Sequence, residues 1–209
     1  MLIYRKWNSQ LAAFTEHPQK FLEPVILKLS QMPSTIHAST EGLKKLGTEG
    51  AKRRLAELAD SQYDESVRQP ATTALAELGD TNYCGVLLHV MNLRQGYSSD
   101  IAARGAGLVC GEAAIPELVP LLYVAPPGLP AYEIAYALGN TGSRNAVPVL
   151  IELLKDSDAD VRRAARDALY TLTHRQEVDQ SHPDEYAQWM TWWALQGKTA
   201  EIFRPADCP

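Results

Sequence analysis

The chain has 209 residues, 45% of them hydrophobic and 22% charged, enough apolar mass for one well-buried unit and too much for a disordered one. Its formal net charge of -5 argues against a dedicated nucleic-acid binder, whose phosphate contacts need a Lys/Arg excess. Three cysteines, Cys84, Cys110 and Cys208, are an odd number and close no complete disulfide framework, so reduced, cytoplasmic surroundings are expected, with Cys84 and Cys110 as small core residues.

Residues 1–16 open the chain with Leu2, Ile3, Trp7, Leu11 and Phe14 near helical spacing. They predict a capping helix rather than a secretory signal, because charges and a Trp stand where an apolar core is needed. Residues 17–173 read as helix pairs. Phe21 to Gln31 and Ser34 to Gly47 make the first, turning at Pro33 and Ser34, and Ala51 to Asp60 with Ser66 to Gly79 make the second. Tyr83 to Leu93 and Asp100 to Gly111 follow, then Ala113 to Tyr123, the rigid loop APPGLP, and Ala131 to Gly139. The fifth pair, AVPVLIELLKDSDADVRRAARDALYTLT from Ala146 to Thr173, is the clearest. Beyond a polar loop, residues 184–200 carry Tyr186, Trp189, Trp192 and Trp193 at helical spacing, an apolar stripe suited to a C-terminal cap. The tail from Thr199, with two prolines, is expected to be irregular. No run approaches the roughly 18 apolar residues of a membrane span, and no membrane contact is expected.

Glycines mark the repeats at Gly47, Gly79, Gly111 and Gly139, in steps of 32, 32 and 28 residues. Periods of roughly 30–45 residues belong to helical solenoids, whose units cannot bury an apolar face alone and must stack. In the last repeat Val161, Ala164, Ala165, Ala168, Leu169 and Leu172 form the inward stripe, and small residues there let neighbouring helices sit close. Leu153, Leu169 and Trp192 are expected in the core. On the opposite side, the same register sets Arg166, Asp167 and Tyr170 beside Tyr132, Glu133 and Tyr136.

The motifs Leu138-Gly139-Asn140-Thr141-Gly142, Ala146-Val147-Pro148 and Asp160-Val161-Arg162 with the Ala-rich helix after them resemble the HEAT-repeat family, specifically the short bacterial HEAT-like repeats of phycobilisome lyases. The resemblance spans roughly residues 18–173. It implies an all-α, right-handed α-α superhelix of about five helix pairs with capping helices. It also implies a ladder between repeats, built by Asp156 with Arg162 and by Asp60 with Arg68; the third and fourth repeats lack that Arg.

The function implied is non-catalytic: a scaffold or adaptor that holds a protein partner on an extended surface. Tyr132, Glu133, Tyr136, Arg163, Arg166 and Tyr170 are the candidate contacts, since Tyr and Arg most often anchor interfaces. No catalytic, metal or cofactor site is expected. His17, His37, His89, His174 and His182 form no His-Glu dyad, the signature that HEAT-repeat di-iron hydroxylases use. Cys84 and Cys110 are not paired at zinc-ligand spacing, and no Gly-x-Ser-x-Gly elbow occurs. Two alternatives stay open: a bilin lyase or tetrapyrrole chaperone, with Tyr132 and Tyr136 flanking a flat ring, and a HEAT-like DNA glycosylase. Such a glycosylase would want basic residues on the concave face; Arg162, Arg163 and Arg166 stand close together, but Asp156, Asp158, Asp160 and Asp167 surround them.

Overall fold

The computed structural model describes residues 18–32, 35–60, 62–94, 96–124, 129–175, 185–197 and 199–203. The expected leading helix at 1–16 lies outside them. Among the described residues there is no strand, and the helices alternate as the sequence pattern requires. The first pair is α1 (Pro18–Leu29) and α2 (Ile36–Leu46); α3 (Glu49–Leu58) and α4 (Glu65–Leu78) make the second. The third is α5 (Cys84–Leu93) with α6 (Gly96–Cys110). In the fourth, α7 (Ile115–Leu118) is a single turn between 3-10 segments, and α8 spans Ala131–Asn140. Pro116 is tolerated in the first turn of α7, and Pro120 ends the helix because its nitrogen cannot donate the next helical hydrogen bond. The fifth pair is α9 (Val147–Leu153) and α10 (Ala159–Thr173), and α11 (Glu185–Trp192) closes the described array.

The second helices stack on one another, α2 on α4, α4 on α6, α6 on α8 and α8 on α10, with the first helices packed behind them. This is an all-α superhelix with one continuous core. Leu43, Leu55, Leu75, Leu87, Ile134, Leu138, Leu150 and Trp189 are fully buried in it. Leu169 and Trp192 are buried as expected, whereas Leu153 is half-buried at the edge and its neighbour Leu154 takes the inward position.

The repeat period is more regular than the glycines alone indicate. Left-handed residues end the second helices at Gly47, Gly79, Gly111, Gly142 and His174, with φ of 59, 63, 58, 59 and 51°. The steps are 32, 32, 31 and 32 residues. Gly139, the expected marker, sits inside α8, and the helix ends one turn of chain later at Gly142. Its reason for being glycine is packing: a Cβ there would lie 2.7 Å from Ala168 Cβ and 3.0 Å from Ala168 Cα. Gly107 on α6 is tighter still, since its Cβ would come within 2.1 Å of the Ala137 carbonyl oxygen of α8. Gly107→Ala must therefore push two backbones apart and should cost about 1–3 kcal/mol, the usual range for overpacking. Urea unfolding followed by circular dichroism checks this, and a loss below about 0.5 kcal/mol would show that the two helices separate freely.

Two sequence expectations are corrected. Cys84 and Cys110 are not separate core thiols; they form a disulfide with Cα atoms 5.3 Å apart, joining the start of α5 to the end of α6. A parity count of three cysteines does not reveal that their helices return to one place, and the bridge removes the basis for expecting reduced surroundings. The stretch Gly96–Tyr123 is long and apolar enough by composition to cross a membrane, contrary to the expectation that no run comes near that length. It turns at Gly111, and Ala102, Ala103, Ala106 and Leu118 along it are buried in the core.

The expected ladder also changes partners. Arg162 Nη1 donates to the carbonyl oxygens of Asp156 and Ser157 at 2.7 and 2.8 Å rather than pairing with the Asp156 carboxylate, whose Oδ1 accepts from Asp158 N. Arg68 donates to Tyr63 O and to Glu65. Links between successive repeats fall elsewhere: Lys44 to Glu77 at 2.8 Å, Lys52 to Asp80, Ser98 to Glu65, Arg104 to Glu133, and Ser143 and Asn145 to Glu112.

Candidate functional site

Stacking the second helices places their outward rows side by side. On α6 the row is Tyr97, Asp100, Arg104 and Leu108, spaced 3, 4 and 4 residues, which keeps one helix face. On α8 it is Tyr132, Tyr136 and Asn140; on α10 it is Asp160, Arg163 and Asp167. Cross-row contacts join them. Arg104 grips the Glu133 carboxylate through Nε and Nη2, the latter at 2.8 Å, and its guanidinium lies 4.8 Å from the centre of the Tyr136 ring. Asn140 Nδ2 donates to Arg104 O at 3.3 Å, and Tyr136 Oη donates to Asp167 Oδ2 at 3.3 Å. Arg163 Nη2 donates to Asp160 at 2.8 Å.

The six candidates therefore divide. Tyr132, Tyr136 and Arg163 remain on the open face. Glu133 does not: it is 7% exposed and held by Arg104, because the third residue of α8 faces back into the α6–α8 seam. Arg166 turns to the cap, where Nε and Nη2 donate to the two Glu185 oxygens at 2.8 and 2.7 Å, and Tyr170 packs edge-on against Trp189 at 5.8 Å. Both serve the closure of the array. Sequence reasoning missed Asp100 and Arg104, which sit singly in a helix rich in Ala and Gly; their spacing of one helical turn was the available signal.

Electrostatics single out Asp100. Burial first, then the Glu133 carboxylate and Glu65, raise its pKa to about 6 against a lowering by Arg104. Asp100 has no hydrogen bond or ion pair among the described residues. Glu65 differs: burial pushes it up, but Arg68 and the Ser98 hydroxyl and backbone N–H outweigh this and hold it below the ordinary range. Burial also raises the Tyr132 phenol, helped by Glu133 and Asp100.

The sign for stability follows. A carboxyl whose folded pKa lies above its unfolded value binds protons more tightly when folded, so the stability it contributes is present at low pH. That contribution fades as pH rises through the window between about 4 and 6. Asp100→Asn should therefore be more stable than the parent at about pH 7.5 and lose that advantage at about pH 4. Thermal unfolding at both pH values tests it; an equal difference at both would show that the Asp100 charge carries no penalty.

Other features carry less chemistry. A cleft of about 500 Å³ between α2 and α4 is lined by Glu41, Lys44, Gln69, Pro70, Thr73 and Glu77, but Lys44 is already held by Glu41 and Glu77. Among the described residues, no three His, Cys, Asp or Glu side chains meet where a metal could be held.

A family profile for HEAT repeats matches residues 115–182, from α7 through α10. The period, the helix pairs and this match agree. The fold is HEAT-like. Among solved structures, a chain from the complex of CpcE and CpcF of phycocyanin lyase from Nostoc sp. PCC7120 superposes with a TM-score of 0.58 at 22% sequence identity. The superposition covers 72% of this HEAT-like chain and 64% of that one, so this chain spans less than two thirds of its neighbour. At that identity the likeness is one of fold. No curated protein matches the HEAT-like chain in sequence.

Proposed function

We propose that this HEAT-like protein is a non-catalytic binding module whose α6–α8–α10 face holds a protein partner. The observation that carries the reading is the face itself: Arg104, Tyr136 and Asp167 are joined by contacts that cross three repeats, with Tyr132 one turn before Tyr136 on α8 and Arg163 beside Asp160 on α10. Pre-organised Tyr and Arg side chains lose little freedom on binding, which is why such residues anchor interfaces. The structural neighbour is a chain from a complex of two proteins, which supports a protein as partner. In the test, partner captured from the native host is measured with the parent and with Tyr136→Ala/Arg163→Ala. These positions spare Arg166, whose removal would disturb the cap. Capture should fall at least about tenfold, or about 1.4 kcal/mol, with helical content unchanged; equal capture would move the site off this face.

A second reading, a bilin-lyase-type subunit, is supported by the neighbour's place in phycocyanin lyase, with Tyr132 and Tyr136 beside a flat ring. Titrating an open-chain bilin separates the two readings. An absorbance change that Tyr132→Ala and Tyr136→Ala abolish would favour the lyase-type reading; no change favours the binding module.

A further inference from the structure

The α6–α8–α10 face is not electrically balanced. Asp100, Asp160 and Asp167 on it, with Glu133 in the seam beneath, stand against Arg104 and Arg163. Both cations are engaged, Arg104 by Glu133 and the Tyr136 ring, Arg163 by Asp160. Two carboxylates are left, and of these Asp167 accepts one long bond from Tyr136. Asp100 is half-buried beside Glu133 and accepts none.

We propose that this face seats a basic side chain, lysine or arginine, from an extended segment of the protein partner, with Asp100 as counter-ion and the Tyr132 ring alongside. The inference rests on the protein-binding reading and specifies the partner's chemistry. Charge complementarity selects the occupant. An anionic segment or a nucleic acid would bring further negative charge to a face already short of two cations, and a neutral apolar segment would bury Asp100 without a partner, which is costly. A cation instead offsets what burial and Glu133 impose on Asp100. The face already shows the required geometry once, in the Arg104 guanidinium packed over Tyr136; Tyr132, one helical turn earlier on α8, offers a second ring to an incoming cation. Tyr97, 71% exposed and about one helical turn before Asp100 on α6, gives the aliphatic stem of a lysine or arginine apolar surface to cover.

Protonation tunes the seat. The groups facing Asp100 are Glu65 from α4, Arg104 from its own helix, and Glu133 with Tyr132 from α8. The Asp100 carboxyl is raised to about 6. A cation attracts its ionised form, so affinity rises as pH rises through that value and levels off above it.

The test uses the full chain and a fluorescein-labelled peptide, Gly-Ser-Lys-Arg-Lys-Ser-Gly, with a Glu-substituted peptide of the same length as control. Fluorescence anisotropy should show that the basic peptide binds the parent and the acidic one does not. Asp100→Asn should weaken the basic peptide about tenfold at about pH 7.5, whereas Glu117→Gln, the same charge change at an exposed site on α7, should not. Tyr132→Leu, which keeps apolar bulk, supplies an independent variant and should weaken binding at least about threefold. Between about pH 5 and pH 7.5 the parent should gain affinity while Asp100→Asn stays flat. Equal weakening by Asp100→Asn and Glu117→Gln would mean diffuse attraction to an acidic protein and overturns the seat, as does binding indifferent to Asp100→Asn. Loss of the native partner from Tyr136→Ala/Arg163→Ala together with that indifference leaves the binding reading standing and removes only the basic-segment inference.

Discussion

Leu169→Ala should destabilise the protein by about 2–5 kcal/mol, the range for a leucine truncated in a packed core. Leu169 is fully buried on α10, and its neighbour Ala168 is pressed against Gly139 of α8. That contact fixes the distance between the two helices, so α8 cannot slide in to fill the hole. The upper part of the range is expected for this reason. Leu153→Ala, at a half-buried site on the edge of α9, should cost less than half as much. Urea unfolding by circular dichroism measures both. A Leu169→Ala loss under about 1 kcal/mol would place the inward stripe of α10 on the wrong side.

That stripe was legible because it needs only local pattern. Val161, Ala164, Ala165, Ala168, Leu169 and Leu172 recur at helical spacing and all are buried. The period was legible for the same reason at Gly47, Gly79 and Gly111, where a left-handed residue is required and glycine meets the need without steric cost. It slipped at Gly139, because two glycines stand within four residues and one-dimensional reading cannot tell a residue that ends a helix from one that lets a neighbour approach. His174 fills the next equivalent position without being glycine, so no glycine search reaches it.

The open face was half legible. Tyr132, Tyr136 and Arg163 follow from the outward register, but Glu133 goes inward and Arg166 with Tyr170 go to the cap. These outcomes depend on which partner helix stands opposite, and that is set by contacts 19 to 31 residues away in sequence. The Cys84–Cys110 bridge is of the same kind: neither spacing nor parity shows that the start of α5 meets the end of α6.

The other large effect is expected at Arg166. Its guanidinium holds both oxygens of Glu185, a residue 8% exposed at the start of α11. Arg166→Ala would leave that carboxylate buried without its cation, and removing one partner of a buried pair typically costs about 3–5 kcal/mol. Arg166 keeps partial exposure, its side chain at 23%, so a value near 3 kcal/mol is expected here, solvent screening part of the loss. The consequence is local as well as global. Glu185 begins the helix that carries Trp189, which is fully buried against Tyr170, and Trp192, which packs edge-on to it at 5.5 Å. Loosening α11 should therefore red-shift tryptophan emission before the repeats unfold, giving two transitions where the parent has one. Arg166→Met/Glu185→Leu supplies the decisive comparison. Replacing both charges by apolar groups of similar size removes the desolvation penalty along with the bond, so most of the lost stability should return. If the double variant is as unstable as Arg166→Ala, the arginine acts through its aliphatic stem and the carboxylate pair does not hold the cap.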